Sequence, residues 1–163
     1  MSEEMRIQKI AVEAMIELHD RETLEGQLFL APLTERHHGR EQVLDLLTQP
    51  DPFLPVRLAD GSSKLVSKCA IARVRVDRAF GMKELDPDGL LAQAGHLTPV
   101  MICLTTGEVI SGSLPLMPEG RRTPRLLDWL RTVGRFLPLI QEDAVVYIAI
   151  EATTWIEETS NNR

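Results

Sequence analysis

The chain has 163 residues, 44% of them hydrophobic, 26% charged and 4% aromatic, with a net charge of −6. That length holds one ordinary domain or two small ones sharing a core, and the acidic balance argues against nucleic-acid binding, which needs many uncompensated Lys and Arg. No apolar run approaches the roughly 18 residues of a membrane helix, the acidic start Met1-Ser2-Glu3-Glu4 is unlike a secretory signal, and two cysteines make neither a disulfide framework nor a metal quartet, so the expectation is a soluble cytoplasmic protein.

The first segment alternates. Ile10, Val12, Ala14, Ile16 and Leu18 share one face, with Glu13 and Glu17 on the other, which predicts a half-buried strand. His19-Asp20-Arg21-Glu22 suits a hairpin turn, and Thr23 to Leu30 reads as the second strand, interrupted by Gly26. A glycine inside a strand marks a bend, a bulge or a close backbone approach. Glu41 to Gln49 reads as a short helix ended by Pro50 and Pro52. Phe53-Leu54-Pro55-Val56 is a short strand, and Lys64 to Ala70 and Ile71 to Val76 are two more. Asp86-Pro87-Asp88-Gly89 is a turn, followed by a helical turn at Leu90-Leu91-Ala92. A strand then runs up to Leu104, and after Thr105-Thr106-Gly107-Glu108 another covers Val109 to Leu116. Thr123-Pro124 caps a helix with Leu126, Leu127 and Leu130 at a 3–4 spacing, stopped by Gly134. Phe136 to Leu139, Ala144 to Glu151 and Thr153 to Glu157 complete the set.

This order of elements occurs twice. Met15 to Pro32 slid by 86 onto Met101 to Pro118 gives eight identities in 18 positions, including Gly26/Gly112 and Pro32/Pro118. Leu44 to Val56 slid by 83 onto Leu127 to Leu139 gives six in 13, including both Phe-Leu-Pro triplets. Lys64 to Arg75 meets Val146 to Glu157 more weakly, at an offset of 82. A tandem duplication follows: residues 8–78 and 98–158 as two repeats, residues 79–97 as connector. Five short, bent antiparallel strands tend to close into a small barrel, and a 60-residue unit has little core of its own. The expected fold is mainly β, two tandem small barrels each with one inserted helix, packed about a pseudo-twofold axis.

Leu104-Thr105-Thr106-Gly107-Glu108-Val109-Ile110-Ser111-Gly112-Ser113-Leu114 resembles the first half of the Sm and Sm-like proteins, whose first strand leads through a glycine turn to a bent second strand. The segment from Ile148 to Ile156 resembles their closing strands. The resemblance implies an Sm-like, SH3-like barrel. It implies no RNA site, because the family's RNA-contacting Asp and Asn are replaced by Leu116-Met117-Pro118-Glu119 and by Leu30-Ala31-Pro32-Leu33. The helix also lies between strands here, where that family has it at the N-terminus.

Arginine is the chemical lead. Residues 121–135 hold five, Arg121, Arg122, Arg125, Arg131 and Arg135, against one acid, Asp128. Arg36/Arg40 repeats the spacing of Arg121/Arg125. Guanidinium forks suit carboxylates and phosphates. The expected site is therefore Arg36, Arg40, Arg121, Arg122, Arg125 and Arg131, facing an acidic protein segment. A small anionic ligand is the alternative: the Arg36/Arg40 pair with Asp60-Gly61-Ser62-Ser63-Lys64-Leu65 resembles the cyclic-dinucleotide motif of PilZ domains, with Leu65 in place of its last glycine. RNA binding of the Sm-like kind is a further alternative, opposed by the net charge.

Other chemistry finds little support. His37-His38, His19 and His96 lack partners at metal-ligand spacing. Ser111 and Ser113 flank Gly112 without a nucleophile motif. Cys69 and Cys103 read as small apolar strand residues, and Asp45 and Asp128 as helix residues that accept local hydrogen bonds. No metal, no cofactor and no enzymatic activity are expected. The reading is a bacterial-type regulatory or adaptor module, self-associating as a dimer where the few aromatics Phe53, Trp129, Phe136 and Trp155 meet.

Overall fold

The computed structural model describes residues 8–32, 39–93, 96–116 and 125–159. The strands are β1 (Ile10–Leu18), β2 (Thr23–Leu30), β3 (Phe53–Leu58), β4 (Ser63–Ser67), β5 (Ile71–Asp77), β6 (Leu97–Leu104), β7 (Val109–Pro115), β8 (Phe136–Ile140), β9 (Ala144–Ala149) and β10 (Thr153–Glu158). The helices are α1 (Val43–Thr48), α2 (Arg78–Leu85), α3 (Leu90–Gln93) and α4 (Leu126–Thr132), and a 3₁₀ turn precedes both β5 and β10. No helix among the described residues is long and apolar enough to cross a membrane.

All ten strands belong to one antiparallel sheet in the order β10-β6-β7-β8-β9-β5-β1-β2-β3-β4. β1 to β5 thus stand in the order 5-1-2-3-4, and β6 to β10 stand in the matching order. The registers match as well. Ala14 pairs Gly26, and 86 residues on Val100 pairs Gly112. Pro55 pairs Leu65, as Pro138 pairs Tyr147. Ile16 pairs Val74, as Ile102 pairs Ile156, and both ladders carry an irregularity near their ends. Arg21 (φ 72°) and Gly107 (φ 90°) are left-handed at the same place in the two hairpins.

The alternation of β1 explains its burial: Val12, Ala14 and Ile16 face inward and Ala11, Glu13 and Met15 outward. Gly26 and Gly112 each lie where β2 or β7 passes closely over the next strand. A Cβ on Gly112 would stand 2.6 Å from the Ile140 carbonyl oxygen, and one on Gly26 would meet the Arg57 carbonyl oxygen. No side chain fits there without moving backbone.

Two apolar clusters form the core. One gathers β1 to β5 and α1, together with Phe136, Ile140, Val145, Tyr147 and Ala149 of β8 and β9. The other holds the inner residues of β6 to β9, with α4 and Ile156 packed against it. The first core is therefore completed by residues from the second half of the chain.

Two expectations need correction, and one element, a helix, was not foreseen. Among the described residues, no pairing closes either group of five strands; hydrogen bonding runs on through β9 and β5 and makes one open sheet. A twofold contact would join the same surface on both halves, whereas here β5 meets β9, a head-to-tail joint. Finally, the segment after Val76 is a true helix, α2, started by Asp77, whose carboxylate accepts from the Ala79 N–H at 3.0 Å. Its weak amphipathicity hid it from the sequence, and Gly81 sits where a Cβ would lie 2.5 Å from Val145 Cγ2, so α2 packs tightly on β9. The 86–89 turn and the helix after it are as expected.

Candidate functional site

α4 carries the arginine lead. Leu126, Trp129 and Leu130 pack inward on the second core. No α4 residue is buried, however, and Leu127 is 61% exposed. By contrast α1, at the same place in the first half, buries Val43 and Leu47. α4 leaves the extended residue Arg125, and the Trp129 N–H donates to the Arg125 carbonyl at 3.0 Å. Thr132 Oγ1 donates to the Trp129 carbonyl at 2.7 Å near the other end. The helix stops at Thr132, two residues before the expected Gly134; the Thr123-Pro124 cap lies outside the described residues. Beside α4 runs an open groove of about 620 Å³, lined by Arg125, Leu126, Leu127, Leu130 and Ile156 and bordered by Glu157 and Glu158 of β10.

The expected arginines are placed differently from one another. Arg125 is exposed at the end of this groove. Arg131 is on the same helix, its side chain 70% exposed and 3.5 Å from Asp128. An ion pair that open to water holds its partner weakly, so Arg131 can exchange Asp128 for another carboxylate. Arg40 is engaged within the fold: Nη2 lies 3.4 Å from Glu84 Oε1, and the guanidinium stacks 4.9 Å above the Phe80 ring. Arg36, Arg121 and Arg122, like His37 and His38, lie outside the described residues.

Arg40 belongs to a clasp that ties three elements together. The buried carboxylate of Glu84, on α2, accepts from the Val43 N–H (3.1 Å) at the start of α1 and from the Tyr147 hydroxyl (3.3 Å) on β9. Gln42 Nε2 donates to the Glu84 carbonyl at 3.2 Å. Burial pushes the Glu84 carboxyl above its ordinary range, against the Val43 N–H and the Arg40 charge that pull it down. Burial, and the carboxylate beside it, push the Tyr147 phenol far up. Among the described residues no buried side-chain nitrogen or oxygen lacks a hydrogen-bond partner, and the Glu84 carboxylate finds its partners on elements the fold brings together, as a structural clasp does.

A second concavity, of about 440 Å³, lies over β3 between β2 and α1. Phe29, Phe53, Pro55 and Leu46 supply apolar walls, and Arg57 stacks 4.9 Å above Phe29. Asp51, Glu41 and Lys68 line the same cleft. Lys68 is buried, its Nζ donates to the Gln49 carbonyl at 3.1 Å, and burial draws its pKa down against Asp51 and Glu41. The sequence reading missed this cleft. Its signal lay in what the two halves do not share: Arg57 and Lys68 stand where the second half has Ile140 and Ile150.

The remaining expectations resolve locally. Asp45 accepts from the Gln42 N–H at 2.9 Å in a reciprocal cap of α1. Cys103 is half-buried in β6 as expected, whereas Cys69 is exposed in a 3₁₀ turn, where Arg135 Nη2 approaches its Sγ at 2.9 Å. It is not an apolar strand residue, because the chain leaves the sheet at Lys68 before re-entering at Ile71. Among the described residues, no three His, Cys, Asp or Glu side chains group as metal ligands would. No protein-family model, no curated protein and no solved structure matches the chain.

Proposed function

We propose that the chain is a cytoplasmic, non-enzymatic interaction module made of two like units, residues 8–78 and 98–158, descended from one duplicated segment, each a group of five strands with one inserted helix. The corresponding strand orders and registers support that descent. The module docks an acidic, partly apolar protein segment on the α4 side. One observation carries this reading: α4 holds Leu127 61% exposed between Arg125 and Arg131. An apolar side chain so placed contributes binding energy when covered, and the flanking guanidinium groups select carboxylates.

The test uses a labelled peptide of alternating Asp and Leu. It binds the wild-type chain with a salt-sensitive affinity, and Arg125→Glu together with Arg131→Glu weakens it by about tenfold or more, equivalent to at least about 1.4 kcal/mol. Affinity unchanged by the double reversal would remove α4 as the docking face.

A further inference from the structure

The sheet ends at β10 on one side and β4 on the other, and both edges are free of strand partners among the described residues. Inside the chain, the strands at the matching places are joined to each other. β5, which matches β10, pairs with β9, which matches β4: Val74 faces Tyr147 and Arg75 faces Val146. The chain thus carries one completed copy of a joint and the two separated halves of another.

Burial tells the same story. Every residue of β8 and β9 is buried. Their counterparts β3 and β4 leave Phe53 47% and Leu65 69% exposed. On the other side, α1 buries Val43 and Leu47 while α4 buries nothing, and Trp155 of β10 is 41% exposed where β5 is mostly covered. The groove between α4 and β10 matches the space in the first half that Tyr147 of β9 helps to fill. Elements at matching places in the sheet differ in exposure here, and one member of each pair has its neighbour while the other does not. Free edges bearing apolar side chains are templates for strand pairing.

We propose that β10 of one chain pairs with β4 of a second copy in the register of β5 with β9, so that the molecule assembles head to tail. This rests on the reading of the α4–β10 side as a binding surface and names its occupant. Displacing the internal register by 82 residues sets Ile156 opposite Leu65 and Glu157 opposite Lys64, an apolar pair beside a charge-complementary one. The helices agree. Thr48 Cγ2 of α1 lies 3.5 Å from where a Gly134 Cβ would stand; displaced by 83, that contact brings Arg131 beside Asp51 of the second copy. The acidic groups met by the α4 arginines are then those of the cleft over β3. Such a joint is heterologous, so an open assembly of any length still offers one free β10 edge and one free β4 edge, at its two ends, until a ring closes.

Light scattering on the full chain tests this. The wild-type mass is expected at twice the 18.3 kDa monomer or more. Leu65→Lys blocks the β4 edge, and Trp155→Lys with Glu157→Lys blocks the β10 edge; all three positions are exposed, and unchanged far-UV circular dichroism confirms folding. Glu157→Lys alone is the milder variant should the pair disturb β10. Each blocked chain alone runs as a monomer, and mixing the two kinds restores a one-to-one heterodimer, because each supplies the edge the other lacks. Either blocked chain keeping the wild-type mass, or a mixture that stays monomeric, overturns the joint. A monomeric wild-type chain that still binds the Asp–Leu peptide through Arg125 and Arg131 overturns the self-assembly and leaves the α4 reading standing. A monomer that binds no peptide removes both.

Discussion

Gly112→Ala is expected to be among the most damaging single-methyl additions in this molecule. The new Cβ would lie 2.6 Å from the Ile140 carbonyl oxygen and 2.8 Å from Leu139 Cγ. The oxygen is backbone, so β7 and β8 must separate beside the ladder pair of Ser113 with Ile140. Overpacking that shifts backbone costs about 3 kcal/mol, and in a chain of this size each kcal/mol lowers the Tm by roughly 2–4 °C. Gly26→Ala acts alike through the Arg57 carbonyl. Gly107→Ala is the control. Its φ of 90° disfavours a side chain, but nothing lies within 4 Å of the new Cβ, so about 1–2 kcal/mol is expected. Thermal melts that rank Gly107→Ala as the worse change would refute the close-approach account.

Removing the Glu84 carboxylate is the second large effect. Glu84→Ala strands the Val43 N–H and the Tyr147 hydroxyl and leaves Arg40 without its acid. Breaking a buried charged network by deleting one partner costs about 3–5 kcal/mol. Arg40 keeps part of its guanidinium in water, so the lower end is expected, read as a fall in the denaturant midpoint. Tyr147→Phe loses one hydrogen bond and costs about 1 kcal/mol.

The same group makes stability depend on pH. Because the folded Glu84 pKa is raised above the ordinary 4.5, the folded state binds this proton more tightly than the unfolded chain. Its contribution is complete below 4.5 and is lost as pH rises through the raised value. Compared with Glu84→Gln, which cannot titrate, the wild type should gain stability on going from neutral to mildly acidic solution. Parallel pH profiles for the two proteins would show that Glu84 carries no such proton.

Much of the strand pattern was legible because it is a local property. Alternation in Ile10–Leu18, Gly26 and Gly112 within strands, and the paired hairpin turns all report backbone geometry that neighbouring residues impose. The offsets of 86, 83 and 82 found between segments of the sequence are those that relate the strand registers in space. α2 was not legible: it has no clear apolar face, and its burial comes from Gly81 lying on Val145 and Glu84 reaching α1 and β9. Arg40 was misjudged for a related reason. A basic residue near a helix start reads as surface, but Glu84, 44 residues away in sequence, turns it inward.

By itself, then, the sequence determined the kind and order of the strands, the places where only glycine fits, and the likeness of the two halves, since each follows from short-range sterics and hydrophobic period. Only the tertiary structure decided how the halves meet. Which strand edge pairs with which depends on contacts between residues about 70 positions apart, as with Val74 and Tyr147, and local patterns carry no record of such contacts. That choice joined β5 to β9, completed one core with residues of the other half, and left α4, β10, β3 and β4 exposed.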